Sequence, residues 1–369
     1  MFAPFESRNL RLPNRIVMSP MGRAHADAGV PHPDYAAYYR RRIEGGVGLI
    51  VTGAAAIGHD LADYDGTGPH FFGESALTRW RAVAADVRHA GGKLIPQLWH
   101  TGMERRRESF GAPHAIGPSG YAIADLDAGS APSGRAMDER DIVAVIAAFA
   151  DAAAAARALG FDGVEIHAGH GFLLDQFLWA RTNRRSDRYG GSPAARARFP
   201  AEAIAAVRAA VGPDFPILLR ISQFKIGAYD ARIADTPVEL EALLEPLAEA
   251  GVDIFHCSQR EAWTPIFEGS PLNLAGWARR LTGKPSIAVG SIGLGGLFTE
   301  EEAASPGLAL PPVSLDHLDR VTAMMEAGEF DLLAIGRSLL GDPEWPRKLR
   351  EGRAQEISPL DPLAMTTLR

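Results

Sequence analysis

Eight short and almost wholly apolar runs recur along the chain, and each is followed by a longer segment with helical spacing. Their near-continuous hydrophobicity is typical of strands that are covered on both faces, as in a parallel sheet. Strand–helix alternation repeated eight times predicts an α/β fold, a single (β/α)8 TIM barrel over residues 1–369. The predicted strands are residues 16–18, 49–51, 94–95, 164–166, 217–219, 254–255, 287–289 and 332–335.

The segments between these runs carry helix start and stop signals. The segment 141–159 has apolar residues at helical spacing and stops at Gly160, and the segment 193–211 begins with a proline. An open, doubly wound sheet is the alternative, but it usually has a glycine-rich turn directly after the first strand. Residues 20–23 occupy that turn without this motif, so the barrel is favoured. The other predicted helices are 33–43, 75–90, 236–250, 272–281 and 314–327.

Two segments are too long for plain barrel loops. Residues 103–138 follow the third strand and are rich in Gly, Pro and Ser, which predicts a loop-and-hairpin excursion over the barrel mouth. Residues 293–312 form a predicted insertion between the seventh strand and its helix. Both segments follow the carboxyl ends of strands, the face at which barrel enzymes place their catalytic residues.

Composition narrows the class of partner. A net charge of −7 gives no global electrostatic reason to bind nucleic acid or an anionic membrane. The longest apolar stretch, residues 47–58, is shorter than the roughly 20 residues that a membrane span needs. Cys257 is the single cysteine, which excludes an intramolecular disulfide and an all-cysteine zinc or iron–sulfur site. A reducing cytoplasm is the expected compartment.

Glycines and one arginine close the last two predicted strands. Gly290 ends the seventh strand, and Gly336 and Arg337 end the eighth. Many barrels bind a phosphate at this position, where glycines allow close backbone approach and a basic side chain supplies charge. The alternative is that these glycines only form tight turns, and the residues alone do not separate the two interpretations.

Two histidines, His167 and His170, lie just beyond the fourth strand. They could be hydrogen-bond donors toward a negatively charged oxygen or ordinary polar core residues, and spacing ranks these two interpretations equally. Metal binding together with Glu165 ranks third, because a catalytic zinc normally needs three protein ligands. Gln97 and Arg220, at the ends of the third and fifth strands, either match the edge of a planar ligand or form a structural contact.

Several motifs in one order resemble those of the old yellow enzyme family, the FMN-dependent NAD(P)H:flavin oxidoreductases or ene-reductases. The resemblance runs over nearly the whole chain, and its most specific part is residues 170–178. It implies an eight-stranded α/β barrel that holds FMN and takes NADPH or NADH transiently at the substrate site. The matching segments are 12–21, 97–100, 160–167, 170–178, Asn183, Asp187, 189–192 and Gly336-Arg337.

The resemblance also implies roles for individual residues and leaves none for a metal. His167 and His170 would hold the carbonyl oxygen of an α,β-unsaturated substrate, so that hydride from flavin N5 attacks the β-carbon in a ping-pong cycle. Trp99 and Phe172 would line the substrate site. The residues implied to bind FMN are Pro20, Met21, Gly22 and Ala54 against the ring, Gln97 and Arg220 at its pyrimidine edge and N1–C2 side, and Gly290, Ser291, Gly336 and Arg337 at the phosphate.

Two residues depart from the family pattern. Phe172 occupies the position of a tyrosine that commonly protonates the substrate α-carbon, and it has no proton to give. Gly22 occupies a position where a threonine or cysteine often tunes the flavin. We therefore hypothesise that the proton comes from water or from a loop tyrosine, Tyr64 or Tyr121.

These departures leave two other functions open. One is a flavin-dependent dehydrogenase or desaturase acting on a saturated carbonyl compound or an amine, and the other is a flavin-binding barrel without turnover. Some relatives also carry an iron–sulfur cluster and a dinucleotide domain, whereas this chain stops soon after the barrel, so FMN alone is expected. The expected partner is a small electron-poor alkene, and the expected oligomeric state is a monomer or a homodimer.

Overall fold

The eight predicted runs form the strands of a closed parallel barrel, which confirms the predicted TIM barrel. The computed structural model describes residues 1–7, 10–105, 115–297 and 310–369. Each barrel strand pairs in parallel with the next, and the eighth returns to pair with the first. The strands are β1 (Ile16–Met18), β2 (Leu49–Ala56), β3 (Leu94–Trp99), β4 (Val164–His170), β5 (Ile217–Lys225), β6 (Ile254–Ser258), β7 (Ser286–Val289) and β8 (Leu332–Ile335).

A helix follows each of these strands in the part of the chain that the structure describes, and local signals explain the helix ends. Asp138 accepts hydrogen bonds from two first-turn N–H groups of the third helix, and Gly160 ends that helix at a φ of +80°. Asn273 caps the sixth helix, which therefore begins at Leu274 instead of residue 272. The helices are α1 (Tyr35–Glu44), α2 (Glu74–His89), α3 (Glu139–Leu159), α4 (Pro193–Val211), α5 (Pro237–Ala250), α6 (Leu274–Thr282), α7 (Leu318–Glu326) and α8 (Trp345–Arg350).

The excursion after β3 is present, but its two short strands do not form a hairpin. Ile116–Gly117 pairs in parallel with Arg135–Ala136, because the helix Ile123–Ala128 lies between them and reverses the chain. Residues 106–114 of this segment lie outside the described residues. The insertion after β7 is described at its two ends, where Leu294 bridges to Val313, and residues 298–309 lie outside the description.

Shorter elements occupy the remaining connections. The additional strands are Phe5–Ser7, Leu10–Leu12, Ala26–Asp27, Val30–Pro31, Ile116–Gly117 and Arg135–Ala136. The additional helical turns are Gly102–Glu104, Ile123–Ala128, Leu173–Leu178, Ser338–Gly341, Ala354–Glu356 and Pro362–Thr366.

An amino-terminal pair of strands, which sequence patterns did not predict, closes one end of the barrel. Phe5–Ser7 and Leu10–Leu12 pair antiparallel, and Phe5, Leu10 and Leu12 join the apolar cluster of the barrel interior. A larger cluster lies between the strands and the surrounding helices. Since the interior is apolar and plugged at the amino-terminal end, chemistry is confined to the carboxyl ends of the strands.

The helix α3 is long and apolar. Its 21 residues satisfy the length and composition of a membrane span. In the barrel it lies beside α2 and α4, and Val145 and Phe149 pack into the larger apolar cluster. Its hydrophobicity therefore has a packing explanation.

Candidate active site

A polar layer lies inside the barrel directly above the apolar one. Leu218 on β5 and Ile254 on β6 belong to the apolar interior, and Arg220 and His256 follow two residues later on the same strands. Side chains two residues apart on a strand face the same side, so Arg220 and His256 point into the barrel toward its carboxyl end. This layer is the floor of the candidate site.

The carboxylate of Glu165 is wholly buried in this layer and accepts two hydrogen bonds. Gln97 Nε2 donates to Oε1 at 2.7 Å, and His256 Nδ1 donates to Oε2 at 2.6 Å. Glu165 is thus hydrogen-bonded to Gln97 and His256, and it does not join His167 as a pair of metal ligands. Within the described ranges, no cluster of three His, Cys, Asp or Glu side chains is arranged to hold a metal ion.

Charges in the layer are balanced by close contacts. Burial raises the pKa of Glu165, but His256, Arg220 and Gln97 outweigh it, and the pKa of this carboxyl is lowered. Burial and the charge of Arg220 lower the pKa of His256 to about 4, so its imidazole is neutral at neutral pH. Burial lowers the pKa of Arg220 to about 10, which leaves the guanidinium cationic.

Arg220 connects the floor of the site to its rim. Its Nη1 donates to His256 Nε2 at 2.9 Å and to Ser19 Oγ at 3.1 Å, and its Nη2 donates to Ser258 Oγ at 3.3 Å. Its Nε is buried and has no hydrogen-bond partner among the described residues. A buried N–H without a partner is costly unless a ligand supplies an acceptor, so Arg220 is suited to an electron-rich ligand edge.

His167 and His170 lie side by side at the end of β4. His167 Nε2 and His170 Nδ1 are 2.9 Å apart, and His170 Nε2 is 2.9 Å from Ser258 Oγ. His170 has a left-handed backbone with a φ of +64°, at an irregularity in the pairing of β4 with β5. Its backbone N–H donates to Ser222 Oγ at 2.8 Å, which stabilises this conformation.

Both imidazoles are neutral at physiological pH. Burial and the charge of Arg220 lower the pKa of His167 to about 3. Burial, together with His167 and Arg220, lowers the pKa of His170 well below its ordinary value. His167 Nδ1 is buried and without a hydrogen-bond partner in the described part of the chain. The pair therefore leaves one unsatisfied ring nitrogen for a ligand.

Aromatic side chains form a wall above the histidines, which we call the aromatic wall: Tyr64, Trp99, Phe172 and Phe224. The ring of Phe172 is 5.0 Å from those of both Trp99 and His167, and Tyr64 is 6.0 Å from Trp99. Phe224 lies on the other side, 5.2 Å from His170. Such a wall excludes water and accepts a flat apolar ligand.

The residues implied to contact a flavin ring come together at the ends of β1, β2 and β8. A side chain at Gly53 would meet the Met21 carbonyl oxygen at 2.4 Å, so the two loops are in close contact. Met21 Sδ lies 3.8 Å from the Cβ position of Gly336. Ala54 is in register with Gln97 on β3. Pro20, Met21 and Ala54 are half-buried, and Gly22 is exposed.

The residues implied to hold a phosphate lie at neighbouring strand ends. A side chain at Gly290 would meet the Gln259 carbonyl oxygen at 2.6 Å, so only glycine fits there. Ser291 follows with a φ of +50°, and its hydroxyl donates to the Arg260 carbonyl oxygen at 2.8 Å. Gly336 and Arg337 follow β8, which pairs with β7. The glycines and the arginine therefore lie at the ends of two paired strands, on one edge of the barrel.

The two tyrosines suggested as proton donors lie in different places. Tyr64 is part of the aromatic wall, whereas the ring of Tyr121 packs against the guanidinium of Arg184 at 4.1 Å. Sequence reasoning did not select Ser19, His256 or Ser258, all of which bond Arg220. Alternation along β6 was the available signal, because positions 256 and 258 continue the inward face of Ile254.

The comparisons with known proteins agree with this architecture. A family model described as NADH:flavin oxidoreductase / NADH oxidase matches residues 1–305. An NADPH dehydrogenase of Geobacillus thermodenitrificans is 32% identical over 358 residues, which cover 94% of this chain and 92% of that protein. A metal reductase of Desulforamulus reducens is 31% identical over 364 residues, 97% of this chain, and the chain spans 50% of its length. A structure of morphinone reductase in complex with tetrahydroNAD has a TM-score of 0.76 at 26% identity and covers 99% of this chain and 93% of its own.

Proposed function

The chain belongs to the NADH:flavin oxidoreductase / NADH oxidase family, the old yellow enzyme family, and from this premise we propose that it is an FMN-dependent ene-reductase. In the proposed reaction, NAD(P)H supplies two electrons and a proton, and the C=C bond of an α,β-unsaturated carbonyl compound becomes saturated. The observation that carries the proposal is the unsatisfied His167 Nδ1 beneath the aromatic wall and beside the cationic Arg220.

Several features of the chain fit FMN. The unpartnered Nε of buried Arg220 and the amide of Gln97 suit the polar edge of the isoalloxazine, and Met21 and Ala54 would flank the ring. Gly290, Ser291, Gly336 and Arg337 are the proposed phosphate ligands. The chemistry that bound FMN would supply is the transfer of two electrons from the nicotinamide to the alkene. Glu165 and His256 hold Arg220 in place, so its charge is fixed where electron density would accumulate.

The histidines are proposed to polarise the substrate. A neutral imidazole N–H that donates to the carbonyl oxygen draws electron density from the β-carbon, and it stabilises the oxygen charge that develops as the bond is reduced. Removing such a donor typically costs 10²–10³ in rate. The low pKa of His167 supports this role, because the imidazole stays neutral near neutral pH.

The proton for the α-carbon is proposed to come from Tyr64. Phe172 has no acidic proton, and Tyr64 reaches the same wall through Trp99. The test is solvent-deuterium incorporation at the α-carbon, with the rate of alkene reduction measured for Tyr64→Phe. A drop of about tenfold or more is expected, within the range of general acid catalysis. Tyr121→Phe is the matched control, and an unchanged rate in both variants would assign the proton to water.

The proposed function is tested by following the flavin spectrum of the purified protein without oxygen. NADPH, or NADH in a second arm, should bleach a yellow flavin band, and cyclohexenone should restore it with formation of cyclohexanone. A colourless protein that does not bind added FMN would refute the proposal. A flavin that is bleached by cyclohexanone but not by NAD(P)H would favour the desaturase, an alternative that Phe172 keeps open.

A further inference from the structure

We propose that His59 and His100 are positioning residues, which hold the loop that carries Tyr64 against the end of β3. This loop, which we call the tyrosine loop, comprises residues 57–64 and follows β2 directly. His100 is the first residue after β3. The inference rests on the proposed function, in which Tyr64 supplies the proton for the α-carbon.

The hydrogen bond between the two imidazoles has a fixed direction. The backbone N–H of Gly102 donates to His100 Nδ1 at 3.0 Å, so this nitrogen carries no proton. A neutral His100 then carries its proton on Nε2, which lies 3.1 Å from His59 Nδ1. His59 Nδ1 also accepts from the backbone N–H of Leu61 at 3.3 Å. His100 is therefore the donor, and His59 Nδ1 is the acceptor of both bonds.

This direction requires that both imidazoles are neutral near neutral pH. His100 is buried, and burial, together with His59 and Arg105, lowers its pKa well below the ordinary value. Burial also lowers the pKa of half-buried His59, although Asp60 and Asp141 oppose this shift. The lone pair of His59 Nδ1 is therefore available to accept the bond from His100.

Two further hydrogen bonds extend this anchor along the tyrosine loop. The backbone N–H of Thr101 donates to the Ala62 carbonyl oxygen at 3.0 Å, and its hydroxyl donates to the Asp63 carbonyl oxygen at 3.3 Å. Asp63 directly precedes Tyr64, whose ring lies 6.0 Å from that of Trp99 in the aromatic wall. The bonds at the end of β3 therefore determine where the phenol of Tyr64 lies.

His100 also joins the tyrosine loop to the segment that follows β4. Its carbonyl oxygen accepts from the backbone N–H of Leu173 at 3.1 Å, and Leu173 directly follows Phe172. One residue thus fixes Tyr64 relative to the aromatic ring that has no proton to give. A general acid acts only within hydrogen-bond reach of the group that it protonates. Loss of the anchor should therefore slow the proton transfer.

Rapid-reaction absorbance of the purified holoenzyme measures the two half-reactions separately. We expect His59→Ala to slow flavin reoxidation by cyclohexenone about fivefold, as expected for the loss of one hydrogen bond. Flavin reduction by NADPH should be unchanged, because that step protonates no carbon. His59→Asn places an amide oxygen near the position of Nδ1 and should restore the rate. His32→Ala, at an exposed histidine of another loop, is the matched control.

A second background separates positioning from a general loss of structure. In Tyr64→Phe, the additional change His59→Ala should cause no further slowing of reoxidation, because the anchor acts only through the phenol. A further loss of about fivefold in this background would overturn the inference. A rate that His59→Asn does not restore would also overturn it.

Hydrogen exchange tests the anchor without turnover. Amide exchange of residues 57–64, followed by mass spectrometry, should be about fivefold faster in His59→Ala and close to the wild-type rate in His59→Asn. Unchanged exchange in His59→Ala would overturn the inference. Faster exchange in a protein that reduces no alkene would instead leave the anchor standing and refute the proposed function.

Discussion

Lys225 and Asp175 form an ion pair in which neither side chain has any solvent-exposed surface, with Nζ and Oδ2 2.9 Å apart. The pair lies next to the candidate active site, since Lys225 is in register with His170 and Asp175 accepts a hydrogen bond from the Gly171 N–H at 2.6 Å. Burial raises the pKa of Asp175 and lowers that of Lys225, and each partner opposes the shift of the other.

Breaking this pair on one side should be far costlier than removing it. Lys225→Met leaves an uncompensated carboxylate in the interior and should lower the free energy of unfolding by about 3–5 kcal/mol. The double variant Lys225→Met/Asp175→Asn keeps an acceptor for Gly171 and should recover most of that loss. Urea denaturation measures both. Lys93→Met removes the partly exposed pair with Asp162 and should cost less than about 1 kcal/mol; an equal loss there would contradict the argument.

Removing the free imidazole should impair catalysis without impairing the fold. We expect His167→Ala to lower kcat/KM for cyclohexenone by about 10²–10³, the usual effect of losing one donor at a developing oxyanion. The melting temperature and the flavin content should stay close to those of the wild type. His89→Ala, at the exposed end of α2, is the control. If kcat/KM stays within threefold of the wild-type value, a difference of ~0.7 kcal/mol or less, His167 is excluded as the hydrogen-bond donor to the substrate oxygen.

Restoring a tyrosine beside the histidines should accelerate alkene reduction. In Phe172→Tyr a phenol would stand in the aromatic wall, where the present ring lies 5.0 Å from His167. We expect the rate of the alkene step, measured by stopped-flow absorbance, to rise about tenfold or more. Phe224→Tyr adds the same group on the other side of His170 and should give no gain. Equal rates in both variants would argue that position 172 does not face the α-carbon.

Stability should fall as the solution is acidified below pH 6.5. Burial lowers the pKa of His167 to about 3 and that of His256 to about 4, so the unfolded chain takes up these protons first. The stability that the neutral imidazoles contribute is complete above the unfolded pKa near 6.5 and is lost as pH falls toward 3–4. Each contributes up to ~1.4 kcal/mol per pH unit in this window.

Urea titrations at pH 7.5, 6, 5 and 4 measure this slope. His256→Gln keeps a donor for Glu165 and an acceptor for Arg220, and it should make the slope shallower between pH 6.5 and 4. His89→Gln on the exposed surface should leave the slope as it is. A wild-type stability that does not change with pH across this window would contradict neutral burial of the two imidazoles.

Local sequence patterns were sufficient to predict the barrel and the edge of the barrel at which the candidate active site lies. Continuous apolar runs predict strands covered on both faces, and glycines such as Gly160 end helices because they adopt a left-handed backbone at little cost. Residues just beyond such strands, His167 and Arg220 among them, had to lie near one another, because parallel strands end at the same rim. Each of these inferences depends on positions that are close in the chain.

The contacts between those residues depend instead on the register of the paired strands and on the closure of the barrel. Three features follow from the pairing of strands that are far apart in sequence. They are the bond between Glu165 and His256, the link from Arg220 through Ser258 to His170, and the parallel pair that replaces the expected hairpin after β3. Residue order alone does not encode which face of β6 meets β5 or how the barrel is staggered. Proton positions at His167 are decided by those contacts, since a tautomer is selected by the partner of the other ring nitrogen.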